Sequence, residues 1–430
     1  MQDQKTNWME WIVGVTAFVL VTLLSHHFQP RITLHDGQGW DGAYYYSMAE
    51  QAAHGQPIHV ASPYVYRVGL PVLAAMANPE NLLSGFSRVN LVCNCLILVF
   101  FILWLRTFLP DWRIRCVLTL LLLTQWLGPF RFISFYPATT DNPQYAFLLL
   151  AFLGIYIARQ REVLGTVIVT LTVLIGVFFR ETVAVAGLAM IFLHNPIQFT
   201  GLGRNLAAFR FKEIVRRPKA LHCLPFIAGL GGLVFIHLTI HKVDDGYSFV
   251  KTVFEWVYDK PWLTYVHGMF IVFGPAIALV IFNWRKSWSF LATHQPFLAF
   301  IGASLVLAYI GGNDTERYFY MMVPMIYILI GKAIADLWPV LQSKLLLLVL
   351  VLGQMASSRL FWIIPNYPND YRTPLPVLSP LTNHCQYLDL FSFYGRRVVE
   401  AVSLAEYLLL TVVLIWWLSH RAQRLATRVD

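Results

Sequence analysis

Residues 86–108 read FSRVNLVCNCLILVFFILWLRTF, and within this run the stretch from Leu91 to Leu105 is apolar except for Asn94. At about 1.5 Å of rise per helical residue, a run of this length crosses a hydrocarbon core of roughly 30 Å. Similar runs of roughly 15 to 20 residues recur along the chain, separated by short polar stretches. The first, 11–25 (WIVGVTAFVLVTLLS), lacks a small-residue cleavage site and reads as a retained helix rather than a cleaved signal. Others fall near 114–130, 143–158, 163–179, 182–197, 222–240, 267–282, 297–311, 318–335, 344–362 and 401–418. The expected fold is therefore all-α, a single polytopic transmembrane domain over 1–430 with about twelve spans, 11 to 13 being compatible with the pattern.

Composition agrees. Of 430 residues, 57% are hydrophobic and only 13% charged, with a mean hydropathy of +0.57, which excludes a soluble enzyme, a nucleic-acid binder and a β-barrel. The five cysteines show neither a disulfide framework nor zinc spacing and read as small hydrophobes. The net charge of +9 is explained by topology rather than by a nucleic-acid partner. With a cytoplasmic N-terminus, the inner segments collect 19 of the 32 basic residues against seven acids. The outer segments then hold 13 basic and 16 acidic residues, so the positive-inside rule selects this orientation, with the C-terminus also cytoplasmic. Around 163–197, Arg180 and Glu181 interrupt a run barely long enough for two spans, and a re-entrant segment is the alternative there.

Two external segments are too long for simple connectors: 28–66 and 363–399. In the first, Tyr44, Tyr45, Met48, Ala49 and Ala52 recur at helical spacing, which predicts an amphipathic helix in the interface with its aromatic side in lipid. In the second, Pro365, Pro368, Pro374, Pro376 and Pro380 forbid a continuous helix and require an ordered, irregular loop.

Ionisable residues beside membrane helices are costly unless they pair or line a cavity, so their gathering on the outer side is informative. His35-Asp36-Gly37-Gln38-Gly39-Trp40-Asp41-Gly42-Ala43-Tyr44-Tyr45-Tyr46 is followed by Tyr64-Val65-Tyr66-Arg67. A carboxylate here could act as general base on a hydroxyl while aromatic faces hold a sugar or a prenyl chain. A helix cap at Asp36 and an interfacial aromatic belt are the competing structural explanation. Thr139-Thr140-Asp141-Asn142-Pro143 opens a helix, so Asp141 is either a cap or a site residue. Arg180-Glu181 is an adjacent charge pair in apolar surroundings, suited to holding phosphate or to a structural ion pair. Gly311-Gly312-Asn313-Asp314-Thr315-Glu316-Arg317-Tyr318 places a second arginine where, with Arg67, it could face a lipid-linked phosphate. Capping accounts for Asn313 or Asp314 but not for Arg317. Gly201-Leu202-Gly203 lacks the context of a dinucleotide site, His54 and His59 make no convincing metal pair, and no Walker sequence appears.

Trp40-Asp41-Gly42-Ala43-Tyr44-Tyr45, then Tyr66-Arg67 with Leu70-Pro71, then Thr140-Asp141, and last Asp314-Thr315-Glu316-Arg317-Tyr318, resemble the GT-C superfamily of integral-membrane glycosyltransferases. The nearest likeness is to its mannosyltransferase-like members that use polyprenyl-phosphate sugars. The motifs are short and concentrated in the N-terminal half. The resemblance implies a bundle of 11 to 13 helices, a catalytic acid on the first external loop, a polyprenyl-phosphate hexose or pentose donor, and inversion at the anomeric carbon. The acceptor would be a lipid, glycan or protein on the extracytoplasmic face of a plasma or inner membrane, or in the ER lumen of a eukaryote. Carried onto this chain, Asp41 matches the first-loop acid as general base, with Asp36 second. Arg67, Arg317 and Arg180 would bind the donor phosphate. Trp40, Tyr44, Tyr45, Tyr66, Asp141, Glu181, Asp314 and Glu316 would contact substrate. No metal is required, although some relatives use a divalent ion, which Asp36, Asp41 and Asp141 could gather. Unlike many relatives, this chain has no large soluble C-terminal domain, and its two acids leave the base open between them.

The main rival is a glycolipid or lipid-phosphate transporter, since arginines in an outward cavity also hold a lipid phosphate without chemistry. Internal repeats and charged sites near the midplane, which transporters usually carry, are not evident. An acyltransferase would need a histidine in the membrane-facing site, and His237 and His241 are poorly placed for that.

Overall fold

The computed structural model describes residues 8–193, 219–240, 248–312, 315–358 and 397–427, together with 243, 360 and 364. It is 80% helical, and no strand occurs among the described residues. The chain opens with α1 (Trp8–Phe28), then the short α2 (Gly42–Ala53) and α3 (Gly69–Ala77) of the first external segment. Next come α4 (Leu82–Phe108), α5 (Trp112–Thr124), α6 (Pro129–Phe135), α7 (Asp141–Ala158), α8 (Glu162–Gly176) and α9 (Ala184–Met190). After residues 194–218, which lie outside the described part, follow α10 (Ala220–Thr239), α11 (Phe249–Asp259), α12 (Trp262–Phe273) and α13 (Ile277–Phe282). The rest comprises α14 (Trp284–Thr293), α15 (Gln295–Ile310), α16 (Thr315–Tyr320), α17 (Val323–Leu341), α18 (Lys344–Ser357) and α19 (Arg397–Ala426).

Among the described residues, seven helical stretches are long and apolar enough to cross a membrane: 8–28, 82–108, 112–135, 220–239, 262–282, 323–341 and 401–426. The pair α14–α15 adds an eighth if taken as one span, though it bends by 109° at His294. Other expected spans coincide with shorter apolar helices at 162–176, 181–190 and 344–357. The window 318–335 is not one helix. A turn at Met321-Met322 divides it, and Pro324, which has no N–H to give a preceding carbonyl, sits in the first turn of α17. Most of the expected loop 363–399 lies outside the described residues. Its first described residue, Ile364, is buried and tied to the start of the first external segment: Gln29 Nε2 donates to its carbonyl at 2.9 Å, and its N–H donates to Gln29 Oε1 at 2.6 Å.

The core sits between α4, α5, α7, α12, α15 and α17, where Trp104 is the largest fully buried side chain. Its indole N–H donates to the Pro324 carbonyl at 2.9 Å, and its ring meets Phe108, Phe152 and Phe297 at 5.0 to 5.7 Å. Small residues set the closest approaches. A Cβ on Gly85 of α4 would lie 2.2 Å from the Ala74 carbonyl oxygen of α3, so only glycine lets these two backbones touch.

Charge divides between the two ends of the bundle. At one end Glu10 of α1, buried, joins Arg106 of α4 and Arg115 of α5, and Glu162 at the start of α8 meets Lys219 and His222 at 2.8 Å. Because α4 and α7 run the length of the bundle, the start of α7, the end of α8 and the first external segment meet at the opposite end.

The amphipathic helix expected in the first external segment is α2, but its inner face is not turned to lipid. Tyr45, Met48 and Ala49 are buried in a second apolar cluster with Leu70, Phe86 and Phe135, because α3 folds back over α2 and covers it. Tyr44 remains exposed and stacks on Tyr64, with ring centroids 4.3 Å apart and planes within 6°.

Candidate functional site

The glycines of the 35–42 motif serve a close approach. His35 and Asp36 have φ of 49° and 54°, and Gly37 and Gly39 have φ of 89° and 77°, so the chain turns tightly through the left-handed region. A Cβ on Gly39 would sit 2.4 Å from the Tyr136 ring, and one on Gly42 would sit 2.8 Å from the same ring. The turn thus lies flat on Tyr136, whose hydroxyl accepts from the Gly42 N–H at 2.6 Å. Trp40 meets the Tyr136 ring edge to face at 5.5 Å. The consequence is to separate the two candidate bases. Asp36 is exposed on the turn and in no ion pair among the described residues, whereas Asp41, immediately before α2, points toward Arg317, with Oδ2 and Nη1 3.7 Å apart.

Four segments distant in sequence supply the charges. Arg67, in the loop before α3, is buried and holds Glu181 with two hydrogen bonds, Nε to Oε2 at 3.0 Å and Nη2 to Oε1 at 2.6 Å. Its Nη1 donates to the Tyr45 hydroxyl at 2.6 Å. Arg180, next to Glu181, reaches instead to Asp141 at the start of α7. Arg317 of α16 binds the same carboxylate twice, Nε to Oδ2 at 2.9 Å and Nη2 to Oδ1 at 3.1 Å. Three guanidinium groups and three carboxylates therefore gather in a formally neutral array of two parts, Arg67–Glu181 and Arg180–Asp141–Arg317–Asp41, brought side by side by the adjacency of Arg180 and Glu181; in the larger part Asp141 bridges two arginines. The Asp41–Arg317 contact is its longest link.

Burial alone would raise the Glu181 pKa, but the Arg67 charge and its hydrogen bonds outweigh that, and the carboxyl is held down at about 2. The Tyr45 phenol is pushed the other way, first by burial and then by the Asp41 charge, against the opposing influence of Arg67. It remains a neutral hydroxyl that accepts from Arg67.

Beside the array lies a cleft of about 390 Å³, counting the solvent it opens to, lined by Asp141 and Arg317 at one level and by Pro129, Asn142, Tyr145 and Tyr320 among others. A smaller space of about 250 Å³ continues past the shared residues Leu127 and Tyr320 toward Gln125 and Ser357. Of the expected site residues, Asp41, Arg67, Asp141, Arg180, Glu181 and Arg317 are brought together, with Tyr45 joined through Arg67. Tyr66 lies apart from these pairs and packs on His237 at 3.8 Å. Glu316 is fully buried beside Gly268 of α12, and Asp314 lies outside the described residues. Sequence reading missed Tyr136, Tyr145 and Tyr320, although the last two stand one helical turn from Asp141 and Arg317, a spacing that puts them on the same helix faces.

No group of three or more His, Cys, Asp or Glu side chains placed to hold a metal occurs among the described residues. The cation cage once conceivable from Asp36, Asp41 and Asp141 does not fit this arrangement. Asp36 is on the exposed turn, and arginines take up the other two carboxylates. Comparison with family models, with curated proteins and with solved structures found no match.

Proposed function

We propose that the protein is a membrane glycosyltransferase of GT-C type, with about twelve crossings once the shorter helices α7, α8, α9 and α18 are counted. It transfers a sugar from a polyprenyl-phosphate donor to a lipid, glycan or protein acceptor with inversion. The termini are cytoplasmic and the charged end faces the extracytoplasmic side, the orientation favoured by the distribution of basic residues. The observation that carries this reading is the convergence of Asp41 with three arginines from separate segments, of which Arg317, together with Asp141, lines the cleft.

In this reading the acceptor oxygen attacks the anomeric carbon while Asp41 takes its proton. The bond between that carbon and the phosphate oxygen breaks, and polyprenyl phosphate departs with an additional negative charge. Arginines placed before the reaction stabilise that developing charge more than they stabilise the donor, which is what lowers a barrier. Because the array is neutral by itself, the donor phosphate must compete with carboxylates for arginine. The long Asp41–Arg317 contact is the one most readily exchanged, so phosphate binding at Arg317 would release Asp41 for proton transfer.

The test is release of polyprenyl phosphate from a panel of polyprenyl-phosphate sugars by purified protein supplied with membrane lipid extract. Wild type should release it with one donor, and Asp41→Asn should not, while still folding and binding that donor. Full activity in Asp41→Asn sinks the assignment of the base. Lipid binding without release by wild type would point to a lipid-phosphate transporter.

A further inference from the structure

The cleft has two levels, and helical geometry sets them. Asp141 and Tyr145 are four residues apart on α7, and Arg317 and Tyr320 are three apart on α16, so each charged residue stands about one turn, roughly 5 Å, from a tyrosine on the same face. At the charged level Asp141 and Arg317 bond each other twice, and Arg180 Nε is the one nitrogen of the Arg180–Asp141–Arg317 group buried without a partner. At the second level the hydroxyls of Tyr145 and Tyr320 are buried and find no hydrogen-bond partner, and neither does Oδ1 of Asn142. The orientation of that amide is fixed, because its Nδ2 donates to Asn94 Oδ1 at 2.6 Å and to the Pro129 carbonyl at 2.8 Å. All three residues line the same cleft, and the two tyrosine rings lie 5.9 Å apart.

Buried polar atoms without partners cost free energy, and three of them gathered on one cleft suit a ligand that completes them. We propose that this second level is a recognition subsite for a neutral polyhydroxylated ring, the sugar carried by the lipid-linked donor. Two hydroxyls that both donate and accept, with one fixed amide acceptor, match the vicinal hydroxyls of a sugar. The adjoining aromatic faces suit its C–H surface. A prenyl chain here would leave all three polar atoms stranded. The inference rests on the reading of the cleft as a donor site, and it orients the donor: phosphate at Arg317, sugar toward Tyr145 and Tyr320, prenyl chain outward.

The experiment measures binding of a polyprenyl-phosphate hexose and of bare polyprenyl phosphate to the full-length protein in nanodiscs. Wild type should prefer the sugar-bearing lipid by about tenfold or more, the discrimination expected when a site built to hydrogen-bond hydroxyls meets a ligand lacking them. Tyr145→Phe and Tyr320→Phe keep the rings and remove only the hydroxyls. Each should lose most of that preference, bind bare polyprenyl phosphate as wild type does, and melt no lower than wild type. Should Tyr320→Phe fail to fold, Gly128→Ala gives a second route, because its Cβ would lie 2.7 Å from the Tyr320 hydroxyl and displace it. Equal binding of the two lipids by wild type, full preference in the Phe variants, or a clear fall in their melting temperature would each overturn the subsite. Failure of the transfer reading is a separate result: the preference and its loss would stand, while no donor released its polyprenyl phosphate.

Discussion

Asp141 carries two arginines on one carboxylate, so replacing it with asparagine tests the array at its centre. The side chains of Arg180 and Arg317 are 6% and 12% exposed, so neither can recover full hydration when the charge is lost. Removing one partner of a buried ion pair typically costs 3–5 kcal/mol. Asp141 is itself 25% exposed, and asparagine still accepts one hydrogen bond, so the lower end applies and about 3 kcal/mol is expected. A lipid phosphate across the Arg317 guanidinium would sit roughly 8 Å from the lost charge. The repulsion removed is then about 2 kcal/mol at an effective dielectric near 20, before screening by salt. Affinity for bare polyprenyl phosphate should therefore rise by about tenfold while stability falls. Unfolding by SDS in mixed micelles gives the stability, and lipid binding in nanodiscs gives the affinity. Lys286→Met, which breaks an exposed pair with Asp336 at 3.4 Å, is the control and should cost about 0–1 kcal/mol. A loss no greater than that control, or a fall in phosphate affinity alongside the loss of stability, would refute the picture of Asp141 as a displaceable counter-ion.

Other consequences follow from the same geometry. Arg317→Ala should weaken donor binding by tenfold or more and leave Asp41 without its guanidinium neighbour, as a lipid-binding titration would show. Since the Glu181 carboxyl is held at about 2 against an ordinary value of 4.5, its contribution to stability is fully present above pH 4.5 and is lost as pH falls toward 2. Unfolding midpoints recorded across that window should fall for wild type, and the fall should be shallower in Glu181→Gln. Glu10→Gln, at the other end of the bundle, should lower stability by breaking the links to Arg106 and Arg115, yet leave donor affinity within twofold. Gly85→Ala should force α3 away from α4, since its Cβ would meet the Ala74 carbonyl at 2.2 Å. Both stability and donor binding should fall, because Arg67 lies just before α3.

The membrane class and most helices could be read from the sequence because their signals are local: apolar runs, prolines and a helical stripe in 44–52. The lengths of the helices were less legible. The apolar window 318–335 concealed a turn, since Met321 and Met322 are as apolar as their neighbours and only the packing of α16 marks them as a break. The face of α2 was misjudged for a related reason. Tyr45 and Met48 suit lipid and protein equally by composition, and only the return of α3 decides between them. Within the site, the ionisable residues were visible as costly exceptions in apolar sequence, but their pairings were not. Adjacent Arg180 and Glu181 read as a pair, whereas the structure sends Arg180 to Asp141 and gives Glu181 to Arg67. The tyrosines at 145 and 320 left only their spacing of one turn from Asp141 and Arg317 as a signal, since a tyrosine in a membrane helix reads as core until its hydroxyl is seen without a partner.

Helix capping competes with a site role for Asp36 and Asp141 in the sequence; Asp36 opens no helix, and the backbone allows capping to be judged at Asp141 and at Asp41 as well. A capping carboxylate accepts from an N–H in the first helical turn. Asp41 precedes α2 without such a bond, and its backbone is already helical, with φ −60° and ψ −24°. Asp141 is the first residue of α7 itself, and its carboxylate is taken up by Arg180, Arg317 and the Thr139 hydroxyl, the last at 3.1 Å. Position and bonding thus separate two effects that usually coincide. The positive end of a helix favours a negative charge by about 0.3–1 kcal/mol whether or not it caps, and both carboxylates stand at such an end. Their oxygens, however, are turned to arginine side chains rather than fixed to the backbone. A capping carboxylate would have to uncap its helix to act. In the proposed reading these two would exchange an arginine for an incoming phosphate with their helices undisturbed, as a site that admits an anion and then accepts a proton requires.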